Sequence, residues 1–162
     1  MWIVVDIDGT ICGVNAGQIF GAFHCQDLGL TIAPEMFATV ASYADLVQLP
    51  PVRAFWRDHQ EEWAASRRRA VLAPAVLAAL APLPGAVEGL RQLTTIGSLC
   101  YLSARSPQVH AVTLAWLERH GFPQYDRLCC VDSIREKIQF LARSCPPSEP
   151  CVVIDDRGHT SF

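Results

Sequence analysis

Four short apolar runs, each closing on polar residues, punctuate the chain: MWIVVD (1–6), SLCYLSARSP (98–107), RLCCVDS (127–133) and CVVIDDR (151–157). A continuous apolar run of this length, rather than an alternating one, predicts a strand buried on both faces, as in a parallel sheet. Between the last three runs the period changes to a helical one. VHAVTLAWLERHG begins after Pro107 and closes on Gly121, and SIREKIQFLARS carries Ile134, Ile138, Phe140 and Leu141 at helical spacing. PGAVEGLRQLTTIG supplies a further helix leading into the second run. Strand, helix, strand, helix, strand is the rhythm of a parallel α/β sheet.

The stretch from Gly13 to Leu83 breaks that rhythm and contains no convincing strand. AGQIFGAFHCQDLG, PEMFATVASYADLVQL, PVRAFWRDHQEEWAASRRR and PAVLAALA read as four helices, three of them with proline at the first helical position. The expected organisation is therefore an α/β core, residues 1–13 and 84–162, with an all-helical insert at 14–83 in its first connection. The insert's aromatic residues, Phe55, Trp56 and Trp63, are expected to pack, and His24 and His59 to lie on helix surfaces. The five histidines have no metal-ligand spacing.

Composition narrows this picture without changing it. At 162 residues, 51% apolar and 18% charged, the chain can bury one core and is not disordered. A net charge of -3 and a pI near 5.9 argue against a general nucleic-acid binder. The run Arg67-Arg68-Arg69 reads as a solvated helix end. Seven cysteines, an odd number with no C-x-x-C pair, point to a reducing compartment, and a cytoplasmic location is expected. Asp6 follows only five residues, leaving no room for a secretory apolar region. The uncharged stretch from Ala70 to Val87 carries Pro74, Pro82 and Pro84, which makes a poor membrane helix.

The chemistry lies where the strands end. In a parallel sheet the carboxyl ends share one edge, where ligands usually bind. That edge collects Asp6 and Asp8, Ser103 and Arg105, and Asp155 and Asp156, with Lys137 near the start of the helix after the third strand. Two unit charges about 4 Å apart repel by around 4 kcal/mol at an effective dielectric near 20, so four carboxylates together call for protons or a cation. A hard divalent ion with oxygen ligands, Mg²⁺, answers that need and shares its coordination with phosphate oxygens. A serine hydroxyl and a lysine suit phosphate as well.

D-I-D-G-T at 6–10, a serine ending the second strand, a lysine before the last strand and D-D at 155–156 together resemble the four motifs of the haloacid dehalogenase superfamily, in that family's order. The resemblance covers roughly 1–13 and 84–157. It implies a Rossmann-like core with a helical cap inserted after the first motif, and an Mg²⁺-dependent phosphatase acting through an aspartyl-phosphate. Asp6 would be the nucleophile and a metal ligand. Asp8 would be the general acid and then base, its backbone carbonyl reaching the metal. Gly9 and Thr10 would form the turn that places Asp8 beside substrate. Ser103 and Lys137 would bind the transferring phosphoryl group, and Asp155 and Asp156 would hold Mg²⁺. The second acid, Asp8, separates this pattern from the dehalogenases of the superfamily.

The implied substrate is a small phosphorylated metabolite. S-A-R-S-P with V-I-D-D-R also resembles the phosphatase domain of polynucleotide kinase-phosphatases, which makes a polynucleotide or nucleotide the alternative and gives Arg105 a substrate contact. Arg157 would pair with nearby acids. A receiver domain uses similar groups, but the third strand offers only Asp132 and such an insert would be foreign to it. Relatives continue after the D-D motif with a helix and a fifth strand, for which six residues are too few. The last strand is thus expected to be an open sheet edge, lowering stability or pairing with a second copy in a homo-oligomer. An inactive, incomplete core is the remaining reading.

Overall fold

The structure, a computed structural model, describes residues 1–14, 16–144 and 149–156. In chain order these form β1 (Trp2–Val5), α1 (Gly17–Leu28), α2 (Pro34–Phe37), α3 (Tyr43–Gln48), α4 (Pro50–Asp58), α5 (Gln60–Ala70), α6 (Pro74–Ala79), α7 (Ala86–Leu93), β2 (Ser98–Ser103), α8 (His110–Arg119), β3 (Leu128–Cys130), α9 (Ile134–Ser144) and β4 (Cys151–Ile154). A 3₁₀ turn at Pro107–Val109 leads into α8. Arg157 and His159 lie outside the described residues. No helix among the described residues is long and apolar enough to cross a membrane.

The four strands are parallel, in the order β3-β2-β1-β4. Their apolar runs are buried as expected: Ile3, Val4, Val5, Leu99, Tyr101 and Leu102 have almost no exposure. Pairing Val5 with both Tyr101 and Ile154 aligns the carboxyl ends of β2, β1 and β4. The chain divides into two compact units, Met1–Gly13 with Ala81–Phe162, and Val14–Leu80. The first holds the sheet. Among the described residues β4 is an edge strand, and Val152 on it is exposed.

The second unit is helical, but two of its four expected helices are each broken in two. PEMFATVASYADLVQL divides into α2 and α3 because Ser42 caps α3 afresh. Its Oγ accepts from the Asp45 N–H at 3.1 Å, while Asp45 accepts from the Ser42 N–H at 2.8 Å. α4 and α5 part at His59, whose backbone (φ −134°, ψ 48°) leaves the helical region and whose ring stacks on Phe55 at 4.6 Å. Helix α1 offers Gly17 and Gly21 to the segment carrying Val40, Ser42 and Leu46. A Cβ at Gly17 would overlap the Ser42 carbonyl, so glycine permits this close approach.

His24 is not a surface residue: it is 1% exposed, packed 4.4 Å from the Trp63 ring, with Nδ1 2.8 Å from the Ser66 Oγ. Burial pushes its pKa down to about 4, so it is neutral at pH 7. Trp63 is buried as expected, whereas Trp56 is 47% exposed. Helix α9 also departs from its pattern. Ile134 and Ile138 are exposed, and the face turned inward carries Lys137 and Leu141. An apolar count predicts which residues could be buried; here the lysine claims the inner face because two carboxylates wait for it.

Candidate functional site

Backbone pairing builds the site. The Asp6 N–H donates to the Ile154 carbonyl at 2.9 Å, so Asp6 and Asp155 emerge side by side from adjacent strands. Asp6, Asp155 and Asp156 each offer a carboxylate oxygen, and these atoms all lie within 4.8 Å of one another. Lys137 Nζ reaches two of the three acids, 2.7 Å from an Asp6 oxygen and 2.7 Å from an Asp155 oxygen. Lys137 is set there by the start of α9. The Ser133 Oγ accepts from the Glu136 N–H at 3.2 Å, and Glu136 accepts from the Asp132 N–H at 3.1 Å. Burial raises the Asp6 carboxyl above its ordinary range, while the Lys137 ammonium beside it pulls the other way.

The D-I-D-G-T loop closes back on this cluster. Gly9 has φ +86°, and a Cβ there would collide with the Asp156 carboxylate. Thr10 Oγ1 accepts from the Asp156 N–H at 2.9 Å. Gly9 and Thr10 thus bear on Asp156 directly, in addition to turning the chain after Asp8. The sequence pattern alone gives them only the turn beside substrate.

Asp8 stands apart from the three-acid cluster because Arg105 grips it. Arg105 Nη2 donates to one Asp8 oxygen at 2.6 Å and Nε to the other at 2.9 Å. The guanidinium is itself buried, with further contacts to the Thr113 Oγ1 at 3.3 Å and the Cys12 Sγ at 3.5 Å. These contacts tie Arg105 to Asp8, Thr113 and Cys12 within the same unit. Ser103 is fully buried, its Oγ accepting from the Arg105 N–H at 3.3 Å, and Ala104 takes the place at the cleft wall. Thr113 and Cys12 carry no signal in the sequence, where they read as helix and loop residues. The Ser133-x-x-Glu136 cap is visible there as a signature, although its link to Lys137 is not.

Asp6, Asp8, Ala104, Asp132, Ser133, Ile134, Lys137 and Asp155 line an open cleft of about 310 Å³ within this unit. Its chemistry is that of hard oxygen donors around one ammonium. Three clustered carboxylates with a single lysine leave negative charge in excess, and an oxygen-ligated divalent cation suits such a donor set.

No family model and no curated protein matches the chain. Solved structures do. A haloacid dehalogenase-like family hydrolase from Streptococcus pneumoniae superposes with a TM-score of 0.56 at 12% identity, over 97% of this chain and 76% of that one. A HAD family hydrolase from Deinococcus radiodurans, with bound phosphate and sodium, gives a TM-score of 0.44 at 16% identity, over 79% and 56% of the two chains. The parallel sheet, its strand order and the first of these likenesses agree: the chain carries the haloacid dehalogenase-like fold.

Proposed function

We propose that the protein is an Mg²⁺-dependent phosphomonoesterase acting on a small phosphorylated metabolite through an aspartyl-phosphate on Asp6. The observation that carries this reading is the junction of Asp6, Asp155 and Asp156 with Lys137 at the mouth of one cleft. Asp6 attacks phosphorus with one carboxylate oxygen, and the phosphorus–oxygen bond to the leaving group breaks. Lys137 orients Asp6 and offsets charge on the phosphoryl oxygens. Ser103, buried with its oxygen engaged by the Arg105 N–H, would turn toward the cleft to give its own proton to a phosphoryl oxygen. Mg²⁺ held by Asp6, Asp155 and Asp156 would neutralise phosphoryl charge when bound.

Asp8 serves both half-reactions, giving a proton to the leaving oxygen and then taking one from the water that releases phosphate. Arg105 donates to both Asp8 oxygens, so each proton transfer requires one of these two hydrogen bonds to open.

The test is hydrolysis of p-nitrophenyl phosphate with Mg²⁺, followed by a panel of phosphorylated metabolites and a 3'-phosphorylated oligonucleotide. Activity is expected to vanish in EDTA and to fall by about 10³-fold or more in Asp6→Asn. Full activity in Asp6→Asn would remove the nucleophile assignment.

A further inference from the structure

The helical unit has a cleft of its own, about 490 Å³, with walls formed by α3, α4 and α5. Its lining includes Tyr43, Trp56 and Trp63, together with Arg53 and Arg67, and contains no carboxylate. The arginines are distinctive. Arg57 pairs with Asp58 at 2.9 Å and Arg69 with Asp27 at 2.6 Å, whereas among the described residues neither Arg53 nor Arg67 has a carboxylate in ion-pair range. Arg67 instead lies over the Tyr43 ring, 5.3 Å from its centroid.

The aromatic wall is fixed in advance. The buried His24 lies 4.4 Å from the Trp63 ring and holds its Nε2 3.4 Å from the Tyr43 hydroxyl. Against this wall stands Trp56, almost half exposed although indole surface ordinarily seeks cover. Flat, rigid aromatic surface with two unneutralised guanidinium groups is complementary to a flat ring that carries negative charge. The volume suits one molecule of roughly mononucleotide size.

We infer that this cleft is a binding site for a planar aromatic anion, a nucleobase bearing a phosphate. The ring stacks on indole and the phosphate takes a charge-assisted pair from Arg53 or Arg67. The site requires no turnover and stands independently of the proposed phosphatase chemistry.

Isothermal calorimetry in EDTA tests it, with AMP, adenosine and ribose 5-phosphate as probes. AMP is expected to bind saturably below millimolar concentration, and the other two at least about tenfold more weakly, since each lacks one of the two contacts. Arg67→Gln and Trp56→Ala, both at exposed positions, are expected to weaken AMP about tenfold with unchanged circular dichroism. Asp6→Asn is expected to leave AMP binding unchanged, which separates this site from the one in the α/β unit. Ribose 5-phosphate binding as tightly as AMP would overturn the aromatic assignment. A phosphorylated oligonucleotide binding while AMP does not would overturn the mononucleotide assignment. Absence of binding, or binding indifferent to both variants, would overturn the site.

Discussion

The two units bury polar groups to different ends. In the α/β unit they converge: parallel strands end together, so Asp6, Asp155 and Asp156 meet at one edge and Lys137 closes on them. In the helical unit His24 and Ser66 satisfy each other inside the packing, beside Trp63. The first arrangement leaves like charges in contact at an open cleft, a state no fold needs for its own stability. The second leaves nothing charged, and burial keeps its histidine neutral. Buried polarity alone therefore does not mark a reactive site; buried polarity with charge left over does.

Three experiments would break or sharpen that contrast, taken in order of expected effect. Lys137→Met should cost about 10³-fold in turnover, since it frees two carboxylates to repel each other beside the phosphoryl group. Phosphatase assays with circular dichroism check this, and near-normal turnover would erase the distinction drawn for the α/β unit. Trp63→Ala should cost the helical unit about 3–5 kcal/mol through the cavity left beside His24, read by urea denaturation. Hydrogen exchange should then show the loss confined to α1, α3 and α5 while β1 and β2 stay protected.

The smallest effect is that of pH. The folded pKa of His24 is depressed to about 4 from 6.5, so between those values the unfolded chain binds the extra proton. The stability owed to neutral His24 is whole above pH 6.5 and is lost progressively down to about pH 4, by no more than roughly 3 kcal/mol. A His24→Gln variant should flatten that part of the pH–stability curve, and an unchanged slope would show that other groups carry it.

The sheet and its acids are legible because a buried parallel strand writes itself as an apolar run, and the polar residues just beyond the run must lie on the carboxyl edge. The helical unit is legible in kind but not in detail. Nothing as strong as proline or glycine marks the breaks at Ser42 and His59; both arise from local capping and stacking that propensity alone underweights. His24 escapes the sequence because a histidine amid apolar neighbours looks the same there whether or not Ser66, far along the chain, comes to meet it. Arg105 is recognisable as part of the site but not by its partner. The arginine in S-A-R is visible in sequence, whereas its bond to Asp8 depends on three-dimensional proximity across 97 positions.

The pairing of β1 with β4 has a consequence in time. Asp6 is made well before its neighbours Asp155 and Asp156, with the helical unit and the rest of the sheet synthesised in between. Until that last strand docks along the first, the three acids and the lysine cannot be neighbours. On the proposed reading the site stays unassembled however much of the remaining sheet has formed, and the onset of phosphatase activity during refolding would time the β1–β4 pairing, which spans 149 positions between Val5 and Ile154.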